Sequence, residues 1–268
     1  MKQSFLLLSL FFTSSSIFAQ DNPSARWTKN GITVDGNVQD WNSLKHYDNQ
    51  SRLFFDFKND SNDLYLCFQT KDETNQAKIM RSGMKIILSD KINGKHKSII
   101  NFPLGIKNTG KSTNSEDKIQ PDPLASHQSK YAIFLASDTV MEVKGFANIN
   151  GLIFPNDISG IHAAINWDSV NTLTYEIAIP FKELFGNNFN LKNISKEISI
   201  NVIINAMTVA DAKSSSANVY SGRRGDGEHR VGGSPEEKEN ENRMAEYNKM
   251  VMSQKTELKQ KFTLSMPQ

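Results

Sequence analysis

Tyr220-Ser221-Gly222-Arg223-Arg224 sets one aromatic ring beside two guanidinium groups in a stretch rich in glycine. A ring stacks on the apolar face of a sugar, and arginine donors read hydroxyl or anionic oxygens. Simple anchoring of the loop is the competing reading for Tyr220. The three tryptophans, Trp27, Trp41 and Trp167, are the other stacking candidates. Trp167 closes Ile165-Asn166-Trp167-Asp168, before a turn, where hairpin packing competes with ligand binding. Trp27 reads as edge packing. Asp35 and Asp40 are carboxylates that a calcium ion would accept. Such a hard cation needs six to eight oxygens from several segments, so the metal assignment stays open.

Catalytic chemistry has little support. His46, His96, His127, His162 and His229 show no H-x-x-x-H or H-E-x-x-H spacing, so zinc is not indicated. No G-x-S-x-G elbow occurs, and Gly222, Gly225 and Gly227 follow no βαβ pattern. No cofactor is expected. The single cysteine, Cys67, excludes an intrachain disulfide or a cysteine metal cluster, and it reads as core filler. A formal net charge of +2 gives no argument for a nucleic-acid partner.

These residues need elements to hold them, and period-2 alternation supplies most of them. Leu53, Phe55 and Phe57 alternate with Arg52, Asp56 and Lys58, with Phe54 breaking the pattern. Leu64–Phe68, Leu173–Ile179 and Ile198–Ile204 alternate in the same way. Asn59-Asp60-Ser61-Asn62-Asp63 is turn chemistry, so the first two runs read as a hairpin. Further strands are expected at Met84–Leu88, Lys97–Phe102, Met141–Ala147, Ile161–Trp167 and Lys261–Met266. Short helices are expected at Asn75–Arg81 and after Asp122-Pro123. Ser234-Pro235-Glu236-Glu237 is a capping box with Pro at its preferred first position. Met244, Tyr247, Val251 and Leu258 would follow it as a narrow apolar stripe. The stripe packs on the sandwich or meets a partner. Gly105–Gln120 and Lys213–Gly233 read as long loops.

Ile32-Thr33-Val34-Asp35-Gly36-Asn37-Val38-Gln39-Asp40-Trp41 resembles the opening of family 9 carbohydrate-binding modules. On its own chemistry the motif is a strand, a tight turn at Asp35-Gly36, a cap from Asp40, and Trp41 closing one end of the sandwich. Asn59–Asp72 and Thr174-Tyr175-Glu176-Ile177-Ala178-Ile179-Pro180-Phe181 are similar to that family's second core strand and late strand. Gly83–Asp90 matches the strand between them. The block from Lys78 to Pro103 resembles an exported bacterial subgroup of the family with no assigned activity. The resemblance implies a sugar clamped between two tryptophans. The first clamp position falls near Met80 and the second within Ala212–Lys261, which has no Trp.

The expected fold is all-β: an antiparallel sandwich, jelly-roll or immunoglobulin-like in outline. A few short helices accompany it, with one longer helix near the C-terminus. Residues 1–19 read as a signal peptide, from Lys2, the apolar run Phe5–Phe12 and the small exit at Ala19. Residues 20–268 then form one domain, with an insertion at 212–259. The expected function is exported, non-catalytic ligand binding with a glycan-like or other envelope ligand. Trp167, Tyr220, Arg223 and Arg224 are the ligand candidates, and Asp35, Gly36, Asp40 and Trp41 form the structural motif. An envelope protein partner engaging the insertion is the alternative, and an unrecognised enzyme ranks third. No apolar run reaches the roughly 20 residues of a transmembrane helix. N-terminal sequencing of the exported protein is expected to start at Gln20. An intact Met1 on cytoplasmic protein would overturn the signal assignment.

Overall fold

A computed structural model describes residues 23–90, 97–105, 140–156, 160–190, 197–207 and 235–267. Two sheets face each other. The first has the order β1-β3-β4-β10-β9, with β2 added on β3. Its strands are β1 (Arg26–Trp27), β2 (His46–Asp48), β3 (Leu53–Asn59), β4 (Asp63–Thr70), β9 (His162–Trp167) and β10 (Leu173–Pro180). The second has the order β12-β11-β5-β6-β7-β8. Its strands are β5 (Met84–Asp90), β6 (Lys97–Asn101), β7 (Met141–Lys144), β8 (Gly151–Ile153), β11 (Ile198–Ile204) and β12 (Thr256–Phe262). The helices are α1 (Glu73–Ser82), α2 (Phe181–Phe185) and α3 (Pro235–Met252). The expected antiparallel sandwich is therefore the fold. Its one parallel pairing among the described strands is β1 on β3.

The inner faces carry the alternating apolar residues. Phe55, Phe57, Leu66, Phe68, Tyr175 and Ile177 of the first sheet meet Ile86, Leu88, Ile200, Val202, Leu258 and Phe262 of the second in one buried cluster. Phe57 and Phe262 join the sheets directly, with ring centroids 4.4 Å apart. One open edge is laced by the N-terminal segment. The Ala25 N–H donates to the Thr263 carbonyl at 2.8 Å, and Asn59 Oδ1 accepts from the Ser265 N–H at 2.8 Å.

The outer face of the first sheet departs from simple alternation. Asp56, Lys58, Tyr65, Cys67 and Glu176 point outward yet are buried. A second layer covers them, built from Ile32, Val34, Val38, Trp41 and Leu44. Its anchor is Glu176. Glu176 Oε1 accepts from Trp41 Nε1 at 2.6 Å, and Oε2 accepts from the backbone N–H groups of Asp35 at 3.1 Å and Gly36 at 2.7 Å. Gly36 is required there. Its φ is +78°, and a Cβ would lie 2.5 Å from Asn166 Cβ.

Several expectations are corrected. Ile32–Val34 forms no ladder; it is extended coil lying on the sheet. Trp41 covers a sheet face rather than one end of the sandwich. Asn37, not Asp40, caps the 3-10 turn Val38–Trp41, while Asp40 Oδ2 accepts from the Thr33 N–H at 3.0 Å. The last strand is Thr256–Phe262 rather than Lys261–Met266, and α3 stops at Met252. Leu258 therefore faces the core from β12 and is no part of a helical stripe. An insertion drawn as 212–259 consequently takes in the first four residues of β12. The short strands β1, β2 and β8 and the helix α2 carry too few residues to show a period.

Burial holds the Glu176 carboxyl above its ordinary value, against the pull of its hydrogen bonds to Trp41, Gly36 and Asp35. A raised acid pKa means the folded state holds the proton longer, so ionisation costs stability as pH rises from about 4.3. Glu176→Gln is expected to remove that slope. At neutral pH it should also destabilise by about 1–3 kcal/mol, because an amide NH2 must then face an indole or backbone N–H. Trp41→Ala is expected to cost about 3–5 kcal/mol. Urea melts at several pH values check all three.

Candidate functional site

The outer face of the first sheet is read as cross-strand rows. Tyr47, Phe54, Gln69, Thr174 and Asn166 form one row across β2, β3, β4, β10 and β9. Asp56, Cys67, Glu176 and Ala164 form the next, beneath the Asp35–Trp41 cap. The cap stops there, so the first row keeps an open aromatic end.

Tyr47 and Phe54 are register partners with ring centroids 4.5 Å apart and planes tilted by 39°. They are 47 % and 41 % exposed, which is unusual for a paired aromatic couple on a sheet. The row continues in polar groups, with Gln69 Nε2 donating to Thr174 Oγ1 at 2.9 Å. Arg52 lies in the turn just before β3. Its backbone sits at φ +55°. Its Nη1 donates to Asp72 Oδ2 at 2.6 Å, and Asp72 Oδ1 also accepts from the Asn75 N–H at 2.8 Å to cap α1. One carboxylate thus fixes both a helix start and a guanidinium. Asp72 raises the Arg52 pKa through that hydrogen bond and its charge, with smaller contributions from the phenols of Tyr247 and Tyr47. Tyr247 lies on α3, the helix that packs on α1. Tyr247 is 51 % exposed, and Met244 and Met250 on the same helix are also open.

The arrangement is a platform: the exposed Tyr47–Phe54 ring pair on β2 and β3 lies beside an exposed guanidinium pinned by Asp72 at the start of β3. It has binding chemistry. Rings offer apolar faces, and the exposed Arg52 guanidinium and half-buried Gln69 amide offer directed hydrogen bonds, while the Thr174 hydroxyl is buried beneath that amide.

The sequence candidates fall elsewhere. Trp167 is buried, and its Nε1 donates to Gln76 Oε1 at 3.1 Å, so the ring is core and offers no stacking face. Asp35 Oδ1 accepts from the Asn37 N–H at 2.8 Å, and Gly36, Asp40 and Trp41 build the cap. Among the described residues no group of three or more His, Cys, Asp or Glu side chains is placed to hold a metal ion. Tyr220, Arg223, Arg224, the signal segment, the Asp122-Pro123 helix start and the cap residue Ser234 lie outside the described residues. So do most of Gly105–Gln120 and all of Lys213–Gly233. The expected stripe is not the buried face of α3: Met244 and Tyr247 face out and Val251 is half-buried, while Met252, outside the stripe, is buried against Met207. Phe54 was visible in sequence only as the residue that breaks the alternation of β3. Tyr47, on a three-residue strand, gave no signal.

Met80, nearest to the first clamp position, lies half-buried on α1 against the core. The inward side of α1 is polar. Gln76 donates to the carbonyls of Thr70 at 3.1 Å and Asn171 at 2.7 Å, Asn75 to that of Ser51 at 2.8 Å, and Lys78 Nζ to Thr256 Oγ1 at 2.8 Å. α1 is therefore a strut tying both sheets together behind the platform.

No protein-family model matches the chain. No curated protein matches it either. Among solved structures it is similar to a family 9 carbohydrate-binding module from Caldicellulosiruptor kristjanssonii, in complexes with glucose and with cellotriose. The TM-scores are 0.33 and 0.34, with 12 % and 10 % identity, over 70 % and 71 % of this chain and 80 % of each module.

Burial brings the Lys78 ammonium down to about 8. A lowered base pKa means the folded state releases its proton first. Stability is therefore expected to rise as pH climbs from about 8 to about 10.4, the ordinary lysine value. Lys78→Met should flatten that rise. Thermal melts across this range check it.

Proposed function

We propose that this chain is an exported, non-catalytic binding protein that takes a glycan on the outer face of its first sheet. The observation that carries the reading is the exposed Tyr47–Phe54 ring pair beside the pinned Arg52–Asp72 couple. A pyranose has one face of C–H groups and an equator of hydroxyls. An aromatic platform edged by a guanidinium and an amide matches both. Buried aromatics would serve stability alone, whereas solvent-facing rings on a sheet lose area to water for no folding gain. The resemblance of the Ile32–Trp41, Asn59–Asp72 and Thr174–Phe181 blocks to family 9 carbohydrate-binding modules supports the same ligand class. Tyr220, Arg223 and Arg224 precede α3 in the chain and stay candidates for a second contact with that glycan.

The test is a glycan array on residues 20–268, followed by calorimetry on the best ligand. Phe54→Ala, Tyr247→Ala and Arg52→Ala are each expected to weaken binding about tenfold or more, as central aromatic and arginine contacts do. Phe54→Ala should cost stability only about 0.2–1 kcal/mol, the size of a cross-strand pair. Retained affinity in all three variants would remove the platform from the function.

A further inference from the structure

The outer face of the first sheet opens again on the other side of the cap. There, in the row Lys58, Tyr65, Ala178 and His162, the cap covers Lys58 and most of Tyr65 and Ala178, while His162 at the β9 end of that row and the next pair, Asp63 and Pro180, lie at its edge. Ala178 is the smallest member of its row and stands between two ring side chains, so the surface dips over it. Neighbouring strands lie about 4.8 Å apart, which sets the backbone positions of Tyr65 and His162 roughly 10 Å from each other. Ile32 and Val34 of the coil segment wall the dip. The result is an open cavity of about 370 Å³, lined also by Asp63, Gly160 and Pro180. That volume suits one small organic molecule.

The charges in and around the cavity are unbalanced. Asp60 is committed to its turn: its Oδ1 accepts from the N–H groups of Asn62 at 2.7 Å and Asp63 at 2.8 Å, and its Oδ2 accepts from the Tyr65 hydroxyl at 2.9 Å. Asp63 lines the cavity with a half-buried carboxyl. The nearby cation Lys182 is largely exposed and leans toward Glu183, 4.0 Å away. Burial and Asp60 hold Asp63 above its ordinary value, and the opposing effects of His162, Lys182 and Tyr65 do not cancel them. A positive group entering the cavity would meet an under-compensated carboxylate above an apolar floor.

We propose that this cavity binds a primary ammonium group carried on a small ring or hydrocarbon body. The ammonium pairs with Asp63, and the body rests on Ala178 between Tyr65 and His162. The site is separate from the glycan platform. Four residues of extended strand part Phe54 from Lys58 and Gln69 from Tyr65, about 13 Å, with the cap between them.

The probes are cyclohexylammonium and cyclohexanol, equal in ring and different in charge. They are titrated into the chain while backbone amide signals are followed by NMR. Cyclohexylammonium is expected to shift the amides of Tyr65, Ala178 and His162 saturably, and to bind at least about tenfold more tightly than the alcohol. Asp63→Asn should abolish the preference. In the unmodified protein, saturating amine should lower the Asp63 titration midpoint, a readout that survives if the variant fails to fold. The preference should fall as acid protonates Asp63. Asp60, Tyr65, His162 and Lys182 also face it, so His162→Gln is run alongside and should keep the fall. Equal affinity for the two probes would overturn the proposal. So would an unmoved Asp63 midpoint, or shifts confined to Tyr47 and Phe54. None of these outcomes bears on glycan binding to the platform.

Discussion

A carboxylate inside a protein must be surrounded by donors, and Glu176 is surrounded by a motif 135 to 141 residues away in sequence. The turn at Asp35-Gly36 presents two backbone N–H groups to one oxygen, and Trp41 presents its indole N–H to the other. Removing any of these donors leaves a buried acceptor wanting. The same row holds Asp56, which pairs with Arg26 at 2.5 Å, and Cys67 between the two acids. Burial pushes the Cys67 thiol well up, with Glu176 and Asp56 adding to it, so the thiol stays neutral. A row of two acids in a sheet face compels the N-terminal segment to fold back over it. The position of residues 26–44 follows from that requirement more than from their own propensities, because they form only a two-residue strand and one turn.

The neighbouring row tightens the same lock. Lys58 Nζ donates to the Asp40 carbonyl at 2.6 Å and lies 5.3 Å from the Trp41 ring centroid. Its pKa is lowered first by burial and then by Arg26, while Asp56 and Asp40 resist the shift. The cap thus closes over alternating acidic and basic groups: Glu176 and Lys58 find partners in the cap, and Asp56 pairs with Arg26 of the neighbouring β1. Its edges decide what remains open. On one side the sheet keeps Tyr47 and Phe54 bare; on the other it keeps the dip over Ala178. Two separate surfaces arise from one covering segment, and neither requires a loop of its own.

The sandwich was legible because inner-face alternation is a local signal. Leu64, Leu66 and Phe68 announce a strand without knowledge of its partners, and Leu173 to Ile179 does the same. A helix over Pro235–Met252 was legible for an equally local reason, the sequence Ser234-Pro235-Glu236-Glu237, although Ser234 itself lies outside the described residues. The end of that helix was not. Leu258 fits the helical stripe by spacing, and only the pairing of β12 with β11 moves it to the core. The Asp-Gly and Asp-Trp steps were legible as structural, but their partner Glu176 was not, because an acid at an outward strand position reads as solvent-exposed. Trp167 looked available for the converse reason: nothing local reveals that Gln76 of α1 accepts the hydrogen bond from its indole N–H.

Strand β3 shows why the platform escaped a pattern-based reading. Phe54, Asp56 and Lys58 occupy its outward positions in order. Local rules assign the phenylalanine to the inside and the two charged residues to water. The fold does the reverse, because the cap begins one row beyond Phe54 and covers Asp56 and Lys58. Burial on this face is therefore set by a segment distant in sequence, and hydrophobicity at a single position carries no information about it. An aromatic left bare by that reversal contributes little to folding, while the acids beneath the cap are indispensable to it. The inverted strand separates the two roles on one surface: charged residues hold the layers together, and an apolar residue faces solvent.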